Sequence, residues 1–138
     1  LSGYHDALLK HNIPFDQSLV VLADTFDSAR KSAHDILRRP DYPTGFFAVN
    51  DMAAIAIIKE AKHLGLHVPE DIKVVGFENS KSAAISEPEL TTVDQYGFEL
   101  GREACQLLLK RLKNEENETS FKPIKKVIKT RLVVRSST

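Results

Sequence analysis

Pro43-Thr44-Gly45-Phe46-Phe47-Ala48-Val49-Asn50-Asp51-Met52-Ala53 carries three structural signals in a row. Pro43 to Gly45 has turn chemistry, because Pro presets one backbone angle and Gly accepts the other. Phe46 to Val49 is a short, unbroken apolar run, as expected for a strand covered on both faces. Asn50 or Asp51 then offers a short side-chain acceptor to the free amides of a helical first turn. Beyond it the apolar residues take helical spacing over 52–64, and Gly65 closes that helix where a left-handed backbone costs little. Turn, buried strand, cap and helix form part of a strand–helix–strand unit.

The pattern repeats on both sides. Downstream, Val68-Pro69-Glu70-Asp71 makes a turn and Ile72 to Phe77 another buried strand. A short helix over 81–86 and an extended segment at Thr91 to Asp94 follow. Residues 98–112 form a helix with Leu100, Ala104, Leu107, Leu108 and Leu112 along one stripe. Residues 114–120 form a polar, acidic loop. Ile124 to Val134 alternates basic and apolar residues, which suits a one-sided strand near a sheet edge. Upstream, residues 26–39 predict a helix with Ala29, Ala33, Ile36 and Leu37 inward, stopped by Pro40. Leu19 to Ala23 reads as a buried strand, and 2–11 as an amphipathic helix ended by Asn12 and Pro14. Strand–helix repeats of this length predict an α/β fold around a right-handed parallel sheet.

Composition narrows the class. The chain has 138 residues, 42% hydrophobic and 28% charged, enough for one core without staples. Its 19 basic and 19 acidic side chains cancel, so net charge gives no long-range pull toward nucleic acid. The single cysteine, Cys105, cannot make an internal disulfide and is expected as a small core residue. No apolar run approaches the roughly 20 residues that span a bilayer. Leu1 is no initiator, and Leu1, Tyr4, Leu8 and Leu9 already have helical spacing, so the chain is expected to begin inside a helix of a longer protein.

Open parallel sheets bind ligands beyond the carboxyl ends of their strands. Three such ends are legible, at Asp24, at Asn50-Asp51 and at Glu78-Asn79. Converging carboxylates and an amide suit a hydroxyl-rich ligand, a cation or a metal; singly, Asp24, Asp51 and Asn79 also serve as helix caps. His63 and His67 have i,i+4 spacing, but Gly65 between them ends the helix, so no metal site is expected. There is no glycine-rich phosphate loop, no nucleophile elbow and no catalytic set. The basic residues from Lys122 to Arg135 read as a solvated strand face balanced by Glu115, Glu116 and Glu118. Asn117-Glu118-Thr119 fits a glycosylation pattern that has meaning only in a secreted protein. A receiver-type phosphorylation domain fails, because Lys122-Pro123 follows a polar loop and only one acid follows the first strand.

The ordered set of motifs resembles the effector-binding domain of LacI/GalR-family transcriptional regulators. It comprises Gly3-Tyr4, the segment 43–53, Leu64-Gly65-Leu66-His67-Val68-Pro69-Glu70-Asp71-Ile72 and Val74-Val75-Gly76-Phe77-Glu78-Asn79. It continues with Pro88-Glu89-Leu90-Thr91-Thr92-Val93-Asp94-Gln95, Leu100-Gly101 and Leu132-Val133-Val134-Arg135, in one register. The resemblance implies a three-layer α/β/α lobe of a type I periplasmic-binding-protein-like fold. Residues 1–95 would be the C-terminal lobe, 96–113 a crossover and helix belonging to the other lobe, and 114–138 a loop and final strand returning to the hinge. The DNA-binding headpiece and most of the first lobe would lie outside this chain.

Function follows from the same resemblance. It implies a cytoplasmic, non-enzymatic sensor of a sugar or related hydroxylated metabolite, working as a homodimer, without cofactor, metal or membrane. Operator DNA would be reached only through the missing headpiece. A periplasmic-type sugar-binding protein of the same fold is the alternative. Carried over residue by residue, Asn50 matches an amide that reaches effector hydroxyls. Glu78 stands where the family commonly has Asp, and Asp24 where several members place an aromatic ring; Asp51 completes the expected ligand edge. Met52, Ile55 and Ile85 fall at the family's dimer interface, and the displaced Leu stripe of 98–112 is expected to seek another apolar surface.

Overall fold

The computed structural model describes residues 1–114 and 123–138. The expected acidic loop, its glycosylation pattern and Lys122 lie in the remainder, outside the described residues. In chain order the elements are α1 (Ser2–Lys10), α2 (Phe26–Leu37), β1 (Gly45–Phe47), α3 (Asp51–His63) and β2 (Lys73–Glu78). They continue with α4 (Lys81–Ile85), β3 (Thr91–Asp94), α5 (Gly97–Asn114) and β4 (Arg131–Val133). The sheet runs in the order β1-β2-β3-β4. β1 to β3 are parallel, with Phe46 beside Val74 and Glu78 beside Asp94. β4 closes the edge antiparallel to β3, with Val93 beside Leu132.

Local chemistry explains the helix ends. Thr25 and Ser28 form a reciprocal capping box at the start of α2. Asn50 caps α3, its Oδ1 accepting from Ala53 N at 2.8 Å. α3 stops at Gly65 (φ 79°), where Leu66 N donates to Ala61 O and Gly65 N to Lys62 O. That pair of bonds satisfies carbonyls the helix leaves open. α1 ends the same way, with Asn12 (φ 56°) as its left-handed residue.

The core lies between α2, α3 and one face of the sheet. Ala29, Ala33 and Leu37 of α2 meet a cluster with Ala53, Ala54, Ile57, Ile58 and Ala61 of α3, with Val74 of β2 and with Leu90 just ahead of β3. Ile36 is buried as well, so all four inward residues read from the sequence of α2 are inside. The other sheet face differs: Phe47 and Leu132 are exposed, and Val75, Phe77 and Val93 are half-buried. α1 buries none of its residues, so the described residues fill two of the three expected layers.

Three expectations need correction, all tied to that open side. Leu19 to Ala23 is not a strand. A single 3-10 turn occupies Gln17–Leu19, held by Asp16, and Leu22 is 100% exposed. Of this run only Ala23 packs against the core, while Leu19, Val21 and Leu22 are exposed, so no second layer among the described residues buries it as a strand. The strand expected over 124–134 shrinks to Arg131–Val133. Ahead of it, Ile124 and Ile128 instead line a groove of about 360 Å³ with Leu100, Ala104 and Leu107 of α5. Cys105 is exposed rather than core, because α5 packs on no second layer along that side; Leu100, Leu108 and Leu112 are exposed with it.

Candidate functional site

The segment after β1 reaches the one that leads into α2. Asn50, following β1, donates from Nδ2 to the backbone carbonyl of Asp24 at 2.8 Å. Its Oδ1 is the α3 cap. An amide has two N–H groups and two lone pairs, so each end of Asn50 keeps one hydrogen bond for a ligand. The side chain of Asp24 is exposed beside it. Glu78 ends β2, the strand next to β1, and is exposed too. A half-buried amide beyond β1, the exposed carboxylate of Glu78 at the end of β2 and that of Asp24 in the segment before α2 are thus the polar groups on this side of the sheet.

Asp51 does not join them. It is 0% exposed, and both carboxylate oxygens are used inside the protein. Oδ1 accepts from the Thr92 hydroxyl at 2.5 Å and Oδ2 from Ser80 N at 2.7 Å. The expectation of a ligand contact from Asp51 is corrected on that ground: a carboxylate with this burial and these partners faces the sheet, not the solvent. Gly76 makes the space. A Cβ there would collide with the Asp51 carboxylate and stand 2.9 Å from Leu90 Cδ2.

Asn79 is also committed. Its Oδ1 accepts from Arg135 Nη2 at 2.7 Å, and its N–H donates to Thr92 Oγ1 at 3.3 Å. Glu78 (φ 149°) and Asn79 (φ 57°) both have positive φ without being glycine, so the turn beyond β2 is strained and must be held by its surroundings. Thr92, Ser80, Gly76 and Arg135 do the holding, and sequence reasoning missed all four as parts of the site's frame. Only Gly76 carried a signal, since glycine within a buried strand marks close backbone approach.

The remaining candidates separate cleanly. His63 ends α3, while His67 lies beyond Gly65 and pairs with Asp71, Nδ1 to Oδ2 at 3.3 Å. Two hydrogen bonds from His67, backbone first and side chain second, hold the Asp71 carboxyl below the usual carboxylate range. A buried carboxylate that sequence reading passed over is Glu60. Arg30 Nε and His34 Nδ1 each reach one of its oxygens at 2.8 Å, tying α2 to α3. Of the expected interface residues, Met52 and Ile85 are exposed, whereas Ile55 is half-buried and packs on the core. Among the described residues no helix is long and apolar enough to cross a membrane.

The parallel sheet and the order of its elements have known counterparts. The periplasmic binding protein-like domain family matches residues 1–138. The chain belongs to that family. It is 36% identical over 138 residues to the HTH-type transcriptional regulator CelR of Thermobifida fusca, covering 99% of this chain and 39% of that protein. It is 33% identical over 139 residues to the HTH-type transcriptional repressor CytR of Escherichia coli K12, covering 100% and 40%. Among solved structures, the CelR–cellobiose complex aligns with a TM-score of 0.89 at 35% identity, over 99% of this chain and 41% of that one. A LacI-family regulator from Enterococcus faecium with bound ribose aligns at 0.83 and 30% identity, over 99% and 49%. The chain thus spans about two-fifths of the length of these curated relatives and corresponds to part of their effector-binding domain.

Proposed function

We propose that this chain is the second lobe of the effector-sensing domain of a LacI-family transcriptional regulator. Its effector is a sugar or another small hydroxylated metabolite. The observation that carries this reading is the open pair formed by the Asn50 amide and the Glu78 carboxylate on adjacent parallel strand ends. Such a pair can donate to and accept from vicinal hydroxyls without doing chemistry on them, so the module binds and is not an enzyme. That the matched relatives are named as regulators favours this reading over a secreted sugar-binding protein, and supports a cytoplasmic location. No metal or cofactor enters the scheme.

In this reading residues 1–95 form the lobe, 96–113 cross to the other lobe and carry a helix that packs there, and 114–138 return toward the hinge. Asp24 lines the rim beside Asn50. Met52 and Ile85 supply the exposed part of a homodimer surface, with Ile55 supporting it from below. A DNA-binding headpiece elsewhere in the regulator contacts the operator. Effector closes the lobes and shifts the headpiece pair only by as much as it prefers one state over the other.

The test uses the intact regulator. Asn50→Ser keeps an oxygen for the helix cap but loses the amide, and Glu78→Gln keeps the length but loses the charge. Glu78→Gln is expected to weaken binding of cellobiose or ribose, whichever the wild type takes, by about tenfold or more, since a hydrogen bond to a charged group is worth about 1.5–3 kcal/mol, and Asn50→Ser by about twofold to tenfold, the scale of a neutral bond. Thermal midpoints should stay near wild type. Wild-type affinity in both variants would remove these residues from the pocket.

A further inference from the structure

We propose that Asp51 is a positioning residue that sets where Glu78 stands relative to Asn50. This rests on the reading of Asn50 and Glu78 as ligand groups. Asp51 follows Asn50 directly, so one dipeptide carries an outward amide and an inward carboxylate. The carboxylate reaches across to Ser80 N, two residues beyond Glu78. It also accepts the hydroxyl of Thr92, which itself accepts from Asn79 N. Two successive amides of the turn beyond β2 are therefore held by one carboxylate, one directly and one through a hydroxyl.

The polarity of this relay allows few substitutes. Both groups that reach Asp51, the Ser80 N–H and the Thr92 hydroxyl, donate to it, and an ionised carboxylate is the side chain that only accepts. An amide in its place brings an N–H against either the Ser80 N–H or the Thr92 hydroxyl and reverses one link. The carboxylate cannot swing to a new partner either. It sits over the Cα of Gly76, and Asp51 and Thr92 are both fully buried. A turn with two positive φ values relaxes once these bonds are lost, and Glu78 leads into it. The distance between the two ligand groups is thus fixed from behind, by residues that no ligand touches. The same hydroxyl belongs to β3, two residues before Asp94, whose carboxylate pairs with Arg131 of β4 at 3.6 Å.

The experiment compares Asp51→Asn, Thr92→Val and Thr92→Ser in the intact regulator. Amide hydrogen exchange at Asn79 and Ser80 is read against amides of α2, and affinity for cellobiose and ribose is read by calorimetry. Asp51→Asn and Thr92→Val should speed exchange at Asn79 and Ser80 by about tenfold or more while α2 stays protected, the scale of one lost hydrogen bond. Sugar affinity should fall with it, and Thr92→Ser, which keeps the hydroxyl, should restore both. Unchanged protection, acceleration that extends equally through α2, or a loosened turn with unchanged sugar affinity each overturns the proposal. If Asp51→Asn does not fold, the Thr92 pair decides alone. If the wild type binds neither sugar, the sugar reading fails, and the exchange measurement still judges whether Asp51 and Thr92 hold the turn.

Discussion

Glu60 shows how much a single buried side chain can depend on its neighbours. Its carboxylate lies under α2, and hydrogen bonds from Arg30, then His34, hold its pKa below the usual glutamate range against the opposing effect of burial. The folded pKa being the lower one, this contribution is complete above the unfolded value and is lost as pH falls through the folded value. Wild-type protein should therefore lose unfolding free energy on acidification with up to one proton more dependence than Glu60→Gln, read from urea midpoints across the acid range. Parallel curves for the two proteins would show that Glu60 adds nothing. Glu60 is invisible in sequence because its partners lie 30 and 26 residues away. Asn50 is the opposite case, since a cap before a helix is a local signal. Its neighbour Asp51 carries the same local signal at a strand end, although it faces inward. Nothing nearby reveals that Thr92 and Ser80 will arrive to bury it.

Elements whose cover is supplied within the chain were legible, and those without cover were not. α2 and α3 are legible in the spacing of the apolar faces they bury against each other, and β1 and β2 in short apolar runs that follow turn residues. The run 19–23 and the stripe of α5 have strand and helix chemistry but no partner layer among the described residues, and their burial could not be inferred. The C-terminal segment sits between these cases. Ser137 is fully buried, donating from Oγ to Val74 O at 2.6 Å and accepting from Thr91 N at 2.8 Å. Its backbone continues the stitch, with Val74 N donating to Ser137 O and Ser137 N to Glu89 O. The tail thus bridges the starts of β2 and β3, where their ladder begins at Val75 and Thr91. Ser137→Ala leaves Thr91 N–H and Val74 O without a buried partner, and should cost about 1–3 kcal/mol in chemical denaturation. A change within a few tenths would mean water replaces the hydroxyl.

At the scale of the whole molecule, the open sheet face, the exposed Leu stripe and the open strand ends have one physical meaning. A small-molecule site normally encloses most of its ligand's surface, through groups that converge from more than one side. Here Asp24, Asn50 and Glu78 approach from one side only, and the Asp24 and Glu78 carboxylates are exposed. A hydroxyl bound to them exchanges one water-accessible partner for another, so each bond adds little net free energy, and no closure follows to exclude water. Under the proposed function, the 138-residue chain by itself should bind cellobiose or ribose at least about a hundredfold more weakly than the intact regulator does. That factor corresponds to roughly 2.7 kcal/mol, about two of the missing bonds. Calorimetry on both proteins under identical conditions measures it. Equal affinity would place the whole site within this lobe and would remove lobe closure from the mechanism, leaving the effector no differential hold on the two states.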